Sequence, residues 1–160
     1  MKIKKSLFLL AIVAIAVVLV ANAGFASDNS DLKSYDFDSF FKMDVPNDAN
    51  FEKSEGNTTE NITKLVNYID NDNKINIVYA ESVGAKDDLV KYYEEMSQND
   101  PFVEIKTVNN TTVVHFGDEN TIGDIQYHDM AIAGDNDRYV MIQCDDEDLI
   151  NSMATSIKFN

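Results

Sequence analysis

Apolar and polar residues alternate along much of this 160-residue chain, and the period changes at only two places. In "YDFDSFFKMDVP" (35–46), Phe37, Phe41, Met43 and Val45 recur between acids and lysine, which predicts a half-buried strand closed by Pro46. "NDANFEKSEGNTTEN" reads as a loop with a short extended piece at Phe51. "ITKLVNYID" and "KINIVYAES" are strands around "NDN", the pattern of a β-hairpin. "FVEIKTV" and "TTVVHFGD" flank Asn109-Asn110 as a second hairpin, and "DIQYHDMAIA" and "RYVMIQC" flank "GDND" as a third. The period shifts to helical in "KDDLVKYYEEMSQND", where Leu89, Tyr93 and Met96, with Val90 beside them, form a stripe that ends at Asn99-Asp100-Pro101. It shifts again in "DDEDLINSMATSIKF", with Asp145 or Asp146 as N-cap and Leu149, Ile150, Met153 and Ile157 as the stripe.

Strands joined mainly by hairpins give a mostly antiparallel sheet, here of about six to seven strands. Two amphipathic helices are available to cover it, so the expected class is an α+β layered domain over residues 37–160. Both helices follow a strand, a DND turn and a second strand. That echo suggests either an internal duplication or the ordinary preference of hairpin turns for Asn and Asp.

Ahead of the domain, "MKIKKSLFLLAIVAIAVVLVANAGFAS" has Lys2, Lys4 and Lys5 before an apolar run from Leu7 to Ala21. Small-x-small patterns follow at Ala21–Ala23 and Gly24–Ala26, so residues 1–26 read as a signal peptide cut after Ala23 or Ala26. An uncleaved N-terminal anchor is the alternative. Residues 27–36, "SDNSDLKSYD", are polar without a period and read as a linker.

The order of elements resembles the Mog1/PsbP-like domains, which are small secreted or lumenal α+β sandwiches. The matching pieces are the opening "FFKMDVP", a hairpin leading into a helix, further hairpins and the closing "LINSMATSIKF". The chain is also similar in flavour to small exported proteins of unknown function from AT-rich prokaryotes. The resemblance implies a sandwich fold and partner binding rather than catalysis, and it carries no functional residue across.

Charge narrows the function classes. From Ser27 onward there are 28 acidic and 10 basic residues, a formal charge of −18. Such a surface repels nucleic acid and anionic lipid, so contact with a membrane is expected only through the N-terminal segment if it stays uncleaved. Cys144 is the only cysteine, so an intramolecular disulfide is impossible and the fold must stand on its core.

Several residues have the types that chemistry needs. Asp70, Asp72 and Glu81 match positions one, three and twelve of a calcium loop. Lys74 and Ile75 occupy positions five and six, where a ligand and a glycine belong, so the pattern points to a hairpin turn. A looser cation site on the turn, using Asp70 and Asp72 with or without Asn73, is the alternative to the hairpin turn. "CDDED" (144–148) fits carboxylates capping a helix, and with Asp135 and Asp137 it is a further place for a divalent cation. His115 and His128 are the only histidines, and a hairpin centred near Thr121 brings them roughly opposite one another. With Asp129 or Glu119 they form a candidate zinc set.

Catalysis has little support. There is no G-x-S-x-G, and Cys144 is followed by four acids that disfavour a thiolate. The absence of Trp argues against a glycosidase. Four N-x-[ST] sequons, at Asn57, Asn61, Asn109 and Asn110, lie in expected loops and are candidate glycosylation sites.

The resulting expectation is an exported acidic domain, secreted or at the cell surface, that is not an enzyme and needs no cofactor. It would serve as a binding or assembly module for an envelope protein or cell-surface component. A divalent-cation-binding envelope protein is the first alternative, and a hydrolase with a dispersed site the second.

Overall fold

The computed structural model describes residues 31–108, 111–119 and 125–160. The expected leader (1–26), the start of the linker and the Asn109-Asn110 turn lie outside the described residues. The strands are β1 (Leu32–Phe37), β2 (Phe41–Pro46), β3 (Glu52–Glu55), β4 (Ile62–Asp70), β5 (Ile75–Ser82), β6 (Val103–Val108), β7 (Thr111–Glu119), β8 (Ile125–Gly134), β9 (Arg138–Cys144) and β10 (Lys158–Phe159). The helices are α1 (Ala85–Ser97) and α2 (Glu147–Ser156).

Seven strands pair in the order β3-β4-β5-β9-β8-β7-β6, and β1, β2 and β10 form a separate three-stranded sheet. Every pairing is antiparallel. The α+β class, the antiparallel sheet and the two helices therefore stand as the sequence predicts.

One boundary differs. Residues 32–36, read from the sequence as linker, belong to β1, which pairs along its length with β2. Asp38 and Ser39 both adopt positive φ, 53° and 64°, the pair of conformations a tight type I′ hairpin requires. The turn carries neither Asn nor Gly, so it reads as strand interior. Leu32 and Tyr35 then pack against the core, which supplies the burial that their polar neighbours conceal.

The large sheet is covered on both faces. On the first face Val66, Tyr68, Ile75, Ile77, Val140 and Ile142 meet the small sheet and α2, which contribute Phe37, Phe41, Met43, Leu149, Ile150 and Met153. Phe37 and Phe41 stack at 4.6 Å between ring centroids. On the second face Leu65, Val78, Val114, Met130, Ile132 and Met141 meet Leu89 and Tyr93 of α1. Complete burial of one such side chain contributes about 1.5–3 kcal/mol, so these two layers dominate the stability.

The helices differ in how they begin. Asp146 caps α2, accepting from Leu149 N at 2.9 Å, as the acid run predicts. Gly84, at φ 71°, precedes α1 and offers no side chain. The two helices also sit on opposite faces. Two copies related across the antiparallel β5–β9 pair would place both helices on one face, so the DND echo reflects convergent turn chemistry.

Candidate functional site

The two DND turns are built alike. Asp70 Oδ1 accepts from the backbone N–H of Asp72 and Asn73, at 3.0 and 3.1 Å. Asp135 Oδ1 accepts from the N–H of Asp137 and Arg138, at 3.2 and 2.8 Å. In each case a carboxylate organises the two amides that follow it, the Asx-turn arrangement. Asp70 is fully buried, and its Oδ2 also accepts from Asn50 N at 3.0 Å and Asn73 Nδ2 at 2.9 Å. Four donors therefore occupy the carboxylate proposed for calcium.

The second turn also serves as the missing cap of α1. Asp137 Oδ1 accepts from Gly84 N at 2.9 Å, and Asn136 Oδ1 accepts from Asp87 N at 3.0 Å. Lys86, buried at the start of α1, donates to Gly134 O at 2.6 Å. Desolvation lowers the pKa of its ammonium group. Gly134 itself is obligatory, because its φ is 124° and an added Cβ would lie 2.5 Å from Arg138 O. Asp135 and Asp137 are thus structural groups, and the structure does not bring them together with "CDDED" as a site.

The histidines fall out of register with the zinc expectation. His115 pairs with Asp129, and His128 pairs with Phe116. A one-residue slip in an antiparallel pair sends a side chain to the other face, so the two imidazoles lie on opposite sides of the sheet. Each finds a carboxylate: His115 Nδ1 lies 2.7 Å from Asp129 Oδ1, and His128 Nδ1 lies 3.0 Å from Asp145 Oδ1. Among the described residues, no three His, Cys, Asp or Glu side chains are grouped closely enough to hold a metal ion.

His115 opens onto the feature that the sequence did not reveal. Across four strands the register aligns Glu104, His115, Asp129 and Cys144 on the first face. Asp129 is buried, whereas the His115 side chain is 37% exposed, so a shielded carboxylate orients an accessible imidazole. Cys144 is buried at the inner end of this row, and desolvation pushes its thiol up to about 12. A thiol so protonated is a poor nucleophile.

Helix α2 lies over β8 and β9, reaches β7, and leaves the β6 end of the first face open. The result is a groove of 360 Å³, with Glu104, Lys106, Thr111, Val113 and His115 as its floor and Glu147, Asn151 and Thr155 as its wall. The three wall residues recur every four positions, which places them along one face of α2. The volume lies at the lower end of the range for small-molecule sites. None of these residues forms a local sequence motif, because β6, β7 and α2 contribute them from distant stretches of chain.

Asn57 and Asn61 are exposed in the loop before β4. Asn109 and Asn110 lie outside the described residues. Among the described residues, no helix is long and apolar enough to cross a membrane.

The sequence matches no known protein family and no curated protein. Among solved structures, the chain is similar to the solution structure of cyanobacterial PsbP (CyanoP) from Synechocystis sp.. The identity is 13% and the TM-score 0.42, over 91% of this chain and 99% of that one. The expected PsbP-like resemblance is therefore present as a weak likeness of fold.

Proposed function

We propose that this protein is an exported, non-enzymatic binding module whose binding face is the groove between α2 and the β6–β7 end of the sheet. The observation that carries the reading is a concavity lined by polar side chains that no described interaction engages. Asp70, Asp135, Asp137 and Asp146 are committed to backbone amides of turns and helix ends. In the groove, by contrast, no described hydrogen bond or ion pair engages the side chains of Glu104, Lys106, Glu147 or Asn151. Polar groups left available in a concavity are the usual means of fixing a ligand's orientation. Export rests on the basic and apolar pattern of residues 1–26, and the acidic surface steers toward basic partners.

Cross-linking in envelope extracts tests this reading. We expect the wild-type protein and a variant changed on the exposed β3 edge, Ser54→Arg, to capture the same partner. Asn151→Arg, which obstructs the groove wall, should lose it. Capture unchanged by Asn151→Arg would reject the groove as the binding face.

A further inference from the structure

We propose that the groove receives one lysine side chain from an extended segment of a partner protein, with its ammonium group held between Glu104 and Glu147. The inference rests on the binding-module reading and names the chemistry of the partner.

Three observations combine. First, Glu104 stands on the floor and Glu147 on the wall, so carboxylates approach the same space from two elements. Glu104 shares a cross-strand row with His115 and Asp129, and Glu147 begins the helix that follows Cys144, the last member of that row. The chain direction therefore puts both acids at one end of the groove. Second, the floor continues over Val113, an apolar surface suited to the methylene stem of a lysine. Third, Lys106 lies one pleat further along β6 and repels a second cation. With Asn151 it presents donors to the backbone carbonyls of an extended segment. The site thus selects a single cation on an apolar stem, flanked by peptide groups. The charge of −18 beyond residue 26 supplies long-range attraction for such a partner.

Nuclear magnetic resonance titration at low salt tests the proposal with three probes: acetyl-Ala-Lys-Ala-amide and its norleucine and glutamate counterparts. The lysine probe should give saturable shifts confined to amides near 104–106, 113–115 and 147–151. The double variant Glu104→Gln/Glu147→Gln, whose own spectrum reports its fold, should weaken that binding about tenfold. The norleucine and glutamate probes should leave those amides unmoved. Shifts scattered over the acidic surface, binding that persists in the double variant, or the absence of lysine-probe binding would overturn the proposal. Equal binding of the norleucine probe would overturn the lysine assignment while leaving the groove a binding site. The cross-linking comparison judges the module reading separately.

Discussion

Asp70 is buried and accepts from three backbone amides and one side-chain amide, whereas Asp72 beside it is exposed. That difference separates a turn organiser from a residue that only resembles a ligand. Asp70→Ala strands these donors and should lower stability by about 3 kcal/mol, read from the urea midpoint, while Asp72→Ala should change it by less than about 0.5 kcal/mol. On the same grounds, millimolar calcium at constant ionic strength should leave the melting temperature unchanged; a rise would show a specific site on the folded state. Cys144 gives a second residue-scale prediction. Its thiol moves from 9.0 to about 12 on folding, and the Tyr93 and Tyr139 phenols move from 10.0 to about 12, each chiefly by desolvation. Above pH 9 the unfolded chain releases these protons while the folded chain keeps them, so stability must fall between pH 9 and 12. Each group contributes up to about 1.4 kcal/mol per pH unit. Cys144→Ala should delay the onset of that fall toward pH 10. The native thiol should resist a disulfide reagent at pH 8 and react only on unfolding.

At the scale of elements, the chain divides the work of capping. Helix α2 carries its own cap in Asp146, adjacent in sequence and legible as such. Helix α1 begins at a glycine in the left-handed region and takes its caps from Asn136 and Asp137, about 50 positions downstream. Asp137→Ala should cost about 1 kcal/mol and speed amide exchange at Gly84 more than at the end of the helix. Equal acceleration along the whole helix would indicate global destabilisation instead. Strand β2 follows the alternation because one of its faces lies against the core, whereas β5 and β9, covered on both faces, are near-continuous apolar runs. The β1–β2 hairpin escaped because its turn uses Asp38 and Ser39 at positive φ, where sequence signals favour Asn and Gly.

For the whole molecule, the acidic excess leaves many carboxylates in mutual repulsion on one small domain. The described ion pairs of Lys42, Lys53, Lys64 and Arg138 are surface contacts that offset little of it. Raising sodium chloride from 0.02 to 0.5 M should therefore raise the melting temperature by about 2–5 °C, measured by circular dichroism. A flat response would mean that the repulsion is already relieved in the folded state. The sequence by itself determined the class, three of the hairpins, both helices and the turn role of the DND segments. Periodicity, caps and turn chemistry are local, and each can be read within about ten residues. It did not determine the register of β7 on β8, because a hairpin's pairing shifts with one residue in its loop. That single step put His115 beside Asp129 and sent His128 to the opposite face. Nor did it determine the groove, which exists because α2 covers β8 and β9 and reaches β7 but stops short of β6. Where one layer ends over another is set by packing between elements distant in sequence, and only the tertiary structure decides it.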